Sequence, residues 1–184
     1  MIDCGAYDGD TCLEFVRYVP EYEKIYALEP DSKLVPQLIE NTKHLRCEVI
    51  PKGASHTKEI IYFAEENSGT SRISENNGIA LECDSIDNIL KTNSMNMGGG
   101  HKNNSKPVSF IKMDIEGGEL NALKGAKETI TTYRPKLAIC MYHRREDFIT
   151  LPQFILSLNP HYKLYLRNRN PLAEDTILFA INDT

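Results

Sequence analysis

Short, nearly continuous apolar runs alternate along this chain with segments of helical periodicity. The clearest runs are residues 25–28, 137–141 and 177–181. Such runs are typical of strands in a parallel sheet that is covered on both faces. Their alternation with helices predicts an α/β fold with right-handed crossovers, that is, a Rossmann-like, doubly wound and mostly parallel sheet.

Patterns between the runs predict where several helices begin and end. Thr11 opens a capping-box pattern that predicts a helix through Val19. Asp31 is placed to cap a second helix, in which Pro36 lies near the second turn and predicts a kink. A further helix is expected over residues 147–158.

The chain is expected to be one domain with two stretches that interrupt the alternation. Its 184 residues are close to the usual size of a single domain. Residues 58–83 predict a β-rich insertion, and residues 91–107, which are rich in Gly, Asn and Ser, predict a flexible surface loop. Residues 168–171 separate two strand-like runs without a helix. Because parallel neighbours need a longer crossover, these two runs are predicted to form an antiparallel C-terminal hairpin.

Composition excludes several classes of protein. Apolar residues make up 41% of the chain and charged residues 26%, which is ordinary for a globular protein and not for a disordered one. No apolar run reaches the roughly 20 residues that a membrane-spanning helix needs. The net charge is −5 and no basic stripe is present, so nucleic acid is not an expected partner.

The cysteines and the first residues indicate a cytoplasmic protein. The 5 cysteines form no C-x-x-C pair and lie mostly in apolar runs, as buried reduced thiols do. The N-terminus contains neither a basic stretch nor a long apolar stretch, so no secretory signal is expected. Met1 falls inside the first predicted strand, which should lie at the centre of the sheet. This position predicts a chain that is truncated or that starts late.

A glycine-containing turn joins the first strand to the first helix. Residues 3–11 have the pattern D-x-G-x-x-x-G-D-T. Gly5 allows a sharp turn and the close approach of a ligand, and the helix N-terminus that follows favours an anionic group. The second strand ends at Glu29, where an acid accepts hydrogen bonds from ribose hydroxyls in dinucleotide-binding folds. The pattern therefore predicts a nucleotide-like cofactor.

Three carboxylates crowd this turn and discriminate between cofactors. Asp3, Asp8 and Asp10 would repel a pyrophosphate. S-adenosylmethionine carries an ammonium and a sulfonium with a single carboxylate, so the same residues suit it better. The turn favours methyl transfer over hydride transfer by a nicotinamide-dependent oxidoreductase, which is kept as an alternative. A non-catalytic cofactor-binding module is a third interpretation.

Four segments of the chain resemble the FkbM family of S-adenosylmethionine-dependent methyltransferases, which have the class I methyltransferase fold. They are residues 2–11 (IDCGAYDGDT), 28–31 (LEPD), 69–74 (GTSRIS) and 110–119 (FIKMDIEGGE). The last is the most specific to the family, and residues 134–143 also fit. The resemblance covers nearly the whole chain and implies that residues 1–184 form one methyltransferase domain.

The resemblance implies a set of residues that bind S-adenosylmethionine. One group lies at the amino-acid end of the cofactor and on the helix beside it, and a second group serves the ribose and the adenine side. The first group is Asp3, Gly5, Ala6, Asp10 and Thr11, and the second is Glu29, Asp31, Ser55 and Ser71.

The resemblance also implies O-methyl transfer to a hydroxyl of a sugar, a glycan precursor or another small metabolite. Asp114 follows an apolar strand, where ligands of open α/β sheets bind, and His143 ends the next strand. With Glu116, these residues are expected to orient and deprotonate the acceptor. The same residue types could hold a divalent cation, but no spacing requires one, so no metal is predicted. Glu119 is placed to favour the N-terminus of the helix that follows.

Overall fold

The computed structural model describes residues 1–65, 71–74, 78–96, 108–168 and 175–182. The strands are β1 (Ile2–Cys4), β2 (Ile25–Leu28), β3 (Cys47–Ile50), β4 (Gly53–Ala54), β5 (Glu59–Glu65), β6 (Ser71–Ser74), β7 (Ile79–Asp84), β8 (Phe110–Met113), β9 (Lys136–Cys140), β10 (Tyr162–Asn168) and β11 (Thr176–Asn182). The helices are α1 (Asp10–Tyr18), α2 (Val35–Thr42), α3 (Ile86–Asn96), α4 (Glu119–Gly125), α5 (Lys127–Tyr133) and α6 (Asp147–Leu158).

The main sheet has seven strands in the order β10-β11-β9-β8-β1-β2-β3. β1 pairs in parallel with β2 and β8, and β9 extends the parallel part beyond β8. β11 runs antiparallel between β9 and β10. The predicted fold class and C-terminal hairpin are therefore confirmed. The strand order reverses between β1 and β8, and ligands of such sheets bind at the carboxyl ends of the strands at this point.

Side chains of the central strands pack on both faces of the sheet. Ile2 and Cys4 of β1 join one hydrophobic core together with Leu28. Ile25 and Ala27 of β2 belong to a second core. Because successive side chains of a strand point to opposite faces, the two cores lie on opposite sides of the sheet. This arrangement explains why the runs are nearly continuous in apolar residues.

The start of α1 differs from the prediction. The helix begins at Asp10 with Gly9 as its N-cap residue, and no side-chain cap hydrogen bond is present there. Gly9 has φ 92°, a left-handed conformation that glycine adopts without strain. The Thr11 hydroxyl donates instead to Asp10 Oδ1 at 3.2 Å. The capping-box prediction is therefore wrong, because the helix begins before Thr11 and Gly9 occupies the N-cap position.

The start of α2 also corrects the sequence analysis. Leu34 is the N-cap residue, and Pro36 lies in the first turn of the helix. Proline is tolerated in the first turn, where its missing N–H has no intrahelical partner to lose, so no kink is expected from it there. Asp31 acts one turn earlier, since its Oδ1 accepts from the Lys33 N–H at 2.8 Å.

A second, four-stranded sheet has the order β4-β7-β5-β6. Its strands β5, β6 and β7 occupy the segment that was expected to be β-rich. Residues 91–96, expected to begin a loop, belong to α3, and residues 97–107 lie outside the described residues. Among the side chains of this helix that the structure describes, the buried apolar ones are Ile86 and Ile89, both in its first half, so no helical period marks residues 91–96.

The last helix agrees with its prediction, since α6 covers Asp147–Leu158. Within the described parts of the chain, no helix is long and apolar enough to span a membrane.

Candidate functional site

A cavity of about 470 Å³ opens where the strand order reverses. It lies at the carboxyl ends of β1, β2 and β8, and the second, four-stranded sheet lines its opposite side. Ligand pockets of this size are typical of small molecules and cofactors. The predicted residues that line it are Gly5, Asp10, Thr11, Glu29, Asp31, Ser55, Asp114 and Glu116. The lining also includes the apolar side chains Pro30, Leu34, Ile61, Ile79 and Leu81.

The turn after β1 packs closely against the loop after β8. Gly5 has φ +74°, and a Cβ built on it would lie 1.9 Å from the backbone oxygen of Asp114. The Gly5 and Ala6 N–H groups both donate to the Leu28 carbonyl, each at 3.0 Å. Glycine is therefore required at this position both for its conformation and for its lack of a side chain.

Asp3 and Ala6 lie behind the cavity wall. The Asp3 side chain is fully buried, with Oδ1 3.1 Å from Lys112 Nζ, and it accepts from Cys12 Sγ at 3.4 Å. Burial raises the pKa of Asp3, and the Lys112 charge offsets part of this rise. Ala6 is 1% exposed and packs in the second core. Asp3 thus contacts Lys112, and Lys112 reaches the cavity.

Lys112 is a cavity residue that the sequence analysis did not single out. Its Nζ donates to the Gly5 carbonyl oxygen at 2.7 Å. Burial lowers the pKa of Lys112, but the Asp3 and Asp114 carboxylates outweigh burial and the net shift is upward. The ammonium is therefore charged. A lysine within the otherwise apolar run of β8 was the available signal, because a charge is buried in a strand only when it is paired.

Glu29 connects the end of β2 to the glycine turn. Its Oε2 accepts from the Tyr7 N–H and its Oε1 from the Asp31 N–H, both at 2.9 Å. The residue is 6% exposed, and burial raises the pKa of its carboxyl group. Each oxygen keeps a lone pair after these bonds. Glu29 is a fixed acceptor at the cavity, and Tyr7, which has φ 49° and also lines the cavity, was missed.

The other predicted cofactor residues occupy different environments. Asp10 Oδ1 accepts from the Thr11 N–H at 2.6 Å at the start of α1. Ser55 is fully buried at the cavity wall, and its hydroxyl donates to Glu59. Ser71 begins β6, and its side chain lies outside the described residues.

The predicted catalytic residues come together at the ends of β8 and β9. His143 Nε2 lies 3.6 Å from Asp114 Oδ1 and 3.5 Å from Glu116 Oε2. The Tyr142 hydroxyl donates to Asp114 Oδ1 at 3.1 Å. The His143 side chain is only 9% exposed and sits behind Asp114 and Glu116, which line the cavity themselves. The imidazole ring is therefore separated from the cavity by these two carboxylates.

Asp114, Glu116 and His143 form a cluster, and Glu119 is its fourth member. Its side chain is fully buried, and its Oε1 lies 3.0 Å from His143 Nδ1. The same oxygen accepts from the Ile115 N–H at 3.0 Å, which fixes the loop before α4. The sequence analysis assigned Glu119 to the helix N-terminus. Its spacing from Glu116 was the only signal of a further role.

The charges of the cluster shift one another's pKa values. Burial of the His143 ring lowers its pKa, but Glu119, Glu116 and Asp114 outweigh burial and raise it. Burial raises the pKa of Glu116, which the His143 charge partly offsets. Burial, together with the Glu119 charge, raises the pKa of the nearby Asp147 to about 6. His143, Glu116 and Asp147 therefore hold their protons more tightly than the same groups do in water.

The backbone at Glu116 is strained. Glu116 has φ 56°, although it is not a glycine, and Gly117 follows with φ 91°. Conformations of this kind cost about 1–3 kcal/mol and persist where the surroundings hold them, often at functional sites. Here the strain places a carboxylate at the cavity edge.

Comparison with known proteins agrees with this geometry. Residues 3–170 match the FkbM methyltransferase domain family. No curated protein matched the chain by sequence. The methyltransferase FkbM from Methylobacillus flagellatus has a TM-score of 0.75 and 29% identity, over 98% of this chain and 43% of that chain. The chain thus spans less than half of that protein's length.

Two more distant structures share the fold. An rRNA methylase from Streptococcus thermophilus has a TM-score of 0.56 and 11% identity, over 100% of this chain and 86% of that chain. Fibrillarin from Aeropyrum pernix, solved with natively bound S-adenosyl-L-methionine, has a TM-score of 0.59 and 8% identity, over 98% of this chain and 65% of that chain. Because the family match covers most of its length, the chain belongs to the FkbM methyltransferase family.

Proposed function

We propose that this protein is an S-adenosylmethionine-dependent O-methyltransferase that acts on a hydroxyl of a sugar, a glycan precursor or another small polar metabolite. Family membership supports methyl transfer, and residues 1–184 would act as one methyltransferase domain. The observation that carries the choice of cofactor is the charge of the cavity.

The cavity lining favours a cationic cofactor. Its charged residues in the described part of the chain are the carboxylates Asp10, Glu29, Asp31, Asp114 and Glu116, and the cation Lys112. S-adenosylmethionine brings two positive charges and a single carboxylate, so its charges complement this lining. A pyrophosphate, as in a nicotinamide dinucleotide, would meet carboxylates on most sides. The residues present therefore fit S-adenosylmethionine.

The chain offers a contact for each part of this cofactor. Lys112 contacts Asp3 and the Gly5 carbonyl, and the third N–H of its ammonium can donate to the cofactor's carboxylate. The acids near the glycine turn suit the cofactor's ammonium. Glu29 keeps acceptor positions for ribose hydroxyls, and the apolar lining suits a flat adenine ring. Asp31 and Ser55 complete the proposed binding set.

When bound, S-adenosylmethionine supplies an electrophilic methyl group on its sulfonium. The protein must then orient an acceptor hydroxyl and remove its proton. Asp114 and Glu116 are the carboxylates of the cluster that reach the cavity, so one of them takes the proton. Burial raises the pKa of Glu116, which brings this carboxylate closer to the range that suits a general base. His143 stands behind both and stabilises their charge.

The acceptor class follows from the resemblance to the family and from the same charges. A rim of carboxylates repels a phosphate backbone and can accept hydrogen bonds from the hydroxyls of a sugar. A small hydroxylated molecule is therefore favoured over a nucleic acid.

Calorimetric titration of the purified chain with S-adenosylhomocysteine tests the cofactor. We expect saturable binding of one molecule per chain and no comparable binding of NADH. A folded sample that binds NADH and not S-adenosylhomocysteine would overturn the proposal. A panel of sugars and other small hydroxylated acceptors, assayed with methyl-labelled cofactor, then tests the reaction, and binding without transfer to any acceptor would favour a non-catalytic module.

A further inference from the structure

Three carboxylates surround one imidazole behind the cavity wall. Single donor atoms of Asp114, Glu119 and His143 all lie within 4.8 Å of one another. Glu116 Oε2 approaches the same ring, 3.5 Å from Nε2. Ligands in adjacent positions around a cation bound at about 2.0–2.3 Å stand roughly 3 Å apart, so a small closure would let these donors share one ion.

Buried polar atoms in this cluster have no hydrogen-bond partner. Neither ring nitrogen of His143 nor Glu119 Oε2 makes a hydrogen bond within the described residues. The Glu119 side chain is fully buried, and that of His143 is 9% exposed. The 3.0 Å contact between Nδ1 and Oε1 is thus an ion-pair approach and not an aligned hydrogen bond. Leaving such buried groups unsatisfied is unfavourable. A bound cation would take the lone pair of one ring nitrogen and of a Glu119 oxygen, while the other ring nitrogen would carry its proton.

The cluster also carries more negative charge than its neighbours compensate. In the part of the chain that the structure describes, Asp114, Glu116 and Glu119 form ion pairs with His143 alone. Lys112 is engaged by Asp3 and by the Gly5 carbonyl. Arg144 is exposed and packs over Gly117. A protonated imidazole supplies a single positive charge against three carboxylates.

We propose that Asp114, Glu119 and His143 form a binding site for one divalent cation that accepts both oxygen and nitrogen ligands, such as Mn²⁺ or Zn²⁺. Glu116 lies next to the site at the cavity edge. Three protein ligands leave coordination positions open. Asp114 lines the cavity and is 37% exposed, so the open positions lie on the cavity side.

An ion in this place would bind the acceptor oxygen and lower the pKa of its hydroxyl. This role rests on the proposed methyltransferase function, whereas the binding of the ion does not. Neighbouring hydroxyls of a sugar could occupy two open positions at once, which fits the proposed acceptor class.

Mn²⁺ binding to the metal-stripped chain, without cofactor or acceptor, tests the site. Loss of the electron paramagnetic resonance signal of free Mn²⁺ measures the amount bound. We expect one ion per chain, and we expect Asp114→Asn and His143→Ala each to weaken binding at least tenfold. Circular dichroism checks that each variant is folded. No binding by the folded wild-type chain at millimolar Mn²⁺ would overturn the proposal, as would unchanged binding by both variants.

Two matched variants control for non-specific binding to surface groups. Glu14 and His161 are exposed and lie outside the cluster, so Glu14→Gln and His161→Ala should bind Mn²⁺ as the wild-type chain does. Equal losses in these controls would overturn the site. S-adenosylhomocysteine binding by the same samples separates the two proposals, because Mn²⁺ binding without it supports the cation site and contradicts the methyltransferase function.

Discussion

Lys112 of β8 and Asp3 of β1 form an ion pair across the centre of the main sheet, with Nζ 3.1 Å from Oδ1. The Asp3 side chain is fully buried, and that of Lys112 is 16% exposed. The same ammonium donates to the Gly5 carbonyl at 2.7 Å. One cation thus fixes the end of the central strand and the turn that builds the cavity.

Replacing Lys112 should therefore destabilise the fold. Lys112→Met leaves a buried carboxylate without its partner, and breaking such a pair typically costs about 3–5 kcal/mol. Urea unfolding followed by circular dichroism measures the free energy of unfolding. The double variant Asp3→Asn/Lys112→Met should recover part of the loss, because no buried charge remains. A single variant within about 1 kcal/mol of wild type would contradict a structural role for the pair.

Gly5→Ala should disrupt the cavity. The new Cβ would meet the Asp114 carbonyl oxygen at 1.9 Å, and alanine is strained at φ +74°, so the turn or the loop after β8 must move. We expect S-adenosylhomocysteine affinity to fall at least tenfold in calorimetric titrations, which corresponds to about 1.4 kcal/mol.

Gly118→Ala is the matched control for this change. Gly118 has an ordinary φ of −88°, and a Cβ there would lie 3.3 Å from its nearest neighbour. This variant should keep most of the affinity. Equal affinities in the two variants would show that close packing at Gly5 does not shape the cofactor site.

The fold was predictable because its signals are local. The apolar run at 25–28 corresponds to β2, and the run at 137–141 overlaps β9 and extends one residue beyond it. Helix α6 has the predicted bounds. A period of side chains along a strand or helix is visible in a short window of sequence. The helix caps were not predictable in the same way, since Gly9 and Leu34 became N-caps through backbone geometry that no side-chain pattern announces.

Many of the predicted residues line the cavity, but Lys112 and Tyr7 were missed and the arrangement of the side chains was not predictable. The motif after β1 contains both Asp3 and Gly5, yet Gly5 lines the cavity and Asp3 contacts Lys112 behind it. Gly5 lies in the turn beyond the end of β1, whereas Asp3 is buried within the strand. The partner of Asp3 lies on another strand, 109 positions away by residue number (112 − 3). Glu119, at the start of α4, likewise becomes a neighbour of His143, beyond the end of β9, only when the chain folds.

Glu29→Ala should weaken cofactor binding. The change removes the carboxylate that accepts from the Tyr7 and Asp31 N–H groups, so it loosens the turn and removes the proposed ribose contact. We expect S-adenosylhomocysteine affinity to fall at least tenfold, or about 1.4 kcal/mol. Glu40→Ala, an exposed residue of α2, should leave the affinity unchanged. Unchanged affinity in Glu29→Ala would remove Glu29 from the cofactor site.

Glu116→Gln should lower turnover without weakening cofactor binding. Glutamine has a similar shape but accepts no proton, and general base catalysis contributes about 100-fold or more to the rate. The measurements are kcat with any acceptor found in the panel and the affinity for S-adenosylhomocysteine. Loss of affinity in parallel with kcat would indicate that Glu116 supports the loop and does not act on the acceptor.

Asp84 should make the stability of the fold depend on pH in the acid range. Burial raises the pKa of this carboxyl group, but hydrogen bonds from Asn88 and Ser85 and the charge of Lys52 outweigh burial and lower it overall. Asn88 Nδ2 donates to both oxygens, at 3.0 and 3.1 Å. Because the folded-state pKa lies below the ordinary value of about 3.9, the carboxylate stabilises the fold above that pH.

This stabilisation is lost as the pH falls through the folded-state pKa. The wild-type chain should therefore exceed Asp84→Asn in free energy of unfolding at about pH 6, and the difference should shrink toward about pH 3. Urea unfolding at several pH values measures it, with the exposed variant Glu14→Gln as the control. A difference that stays constant or grows as the pH falls would mean that the carboxylate is not held in its charged form by Asn88 and Lys52.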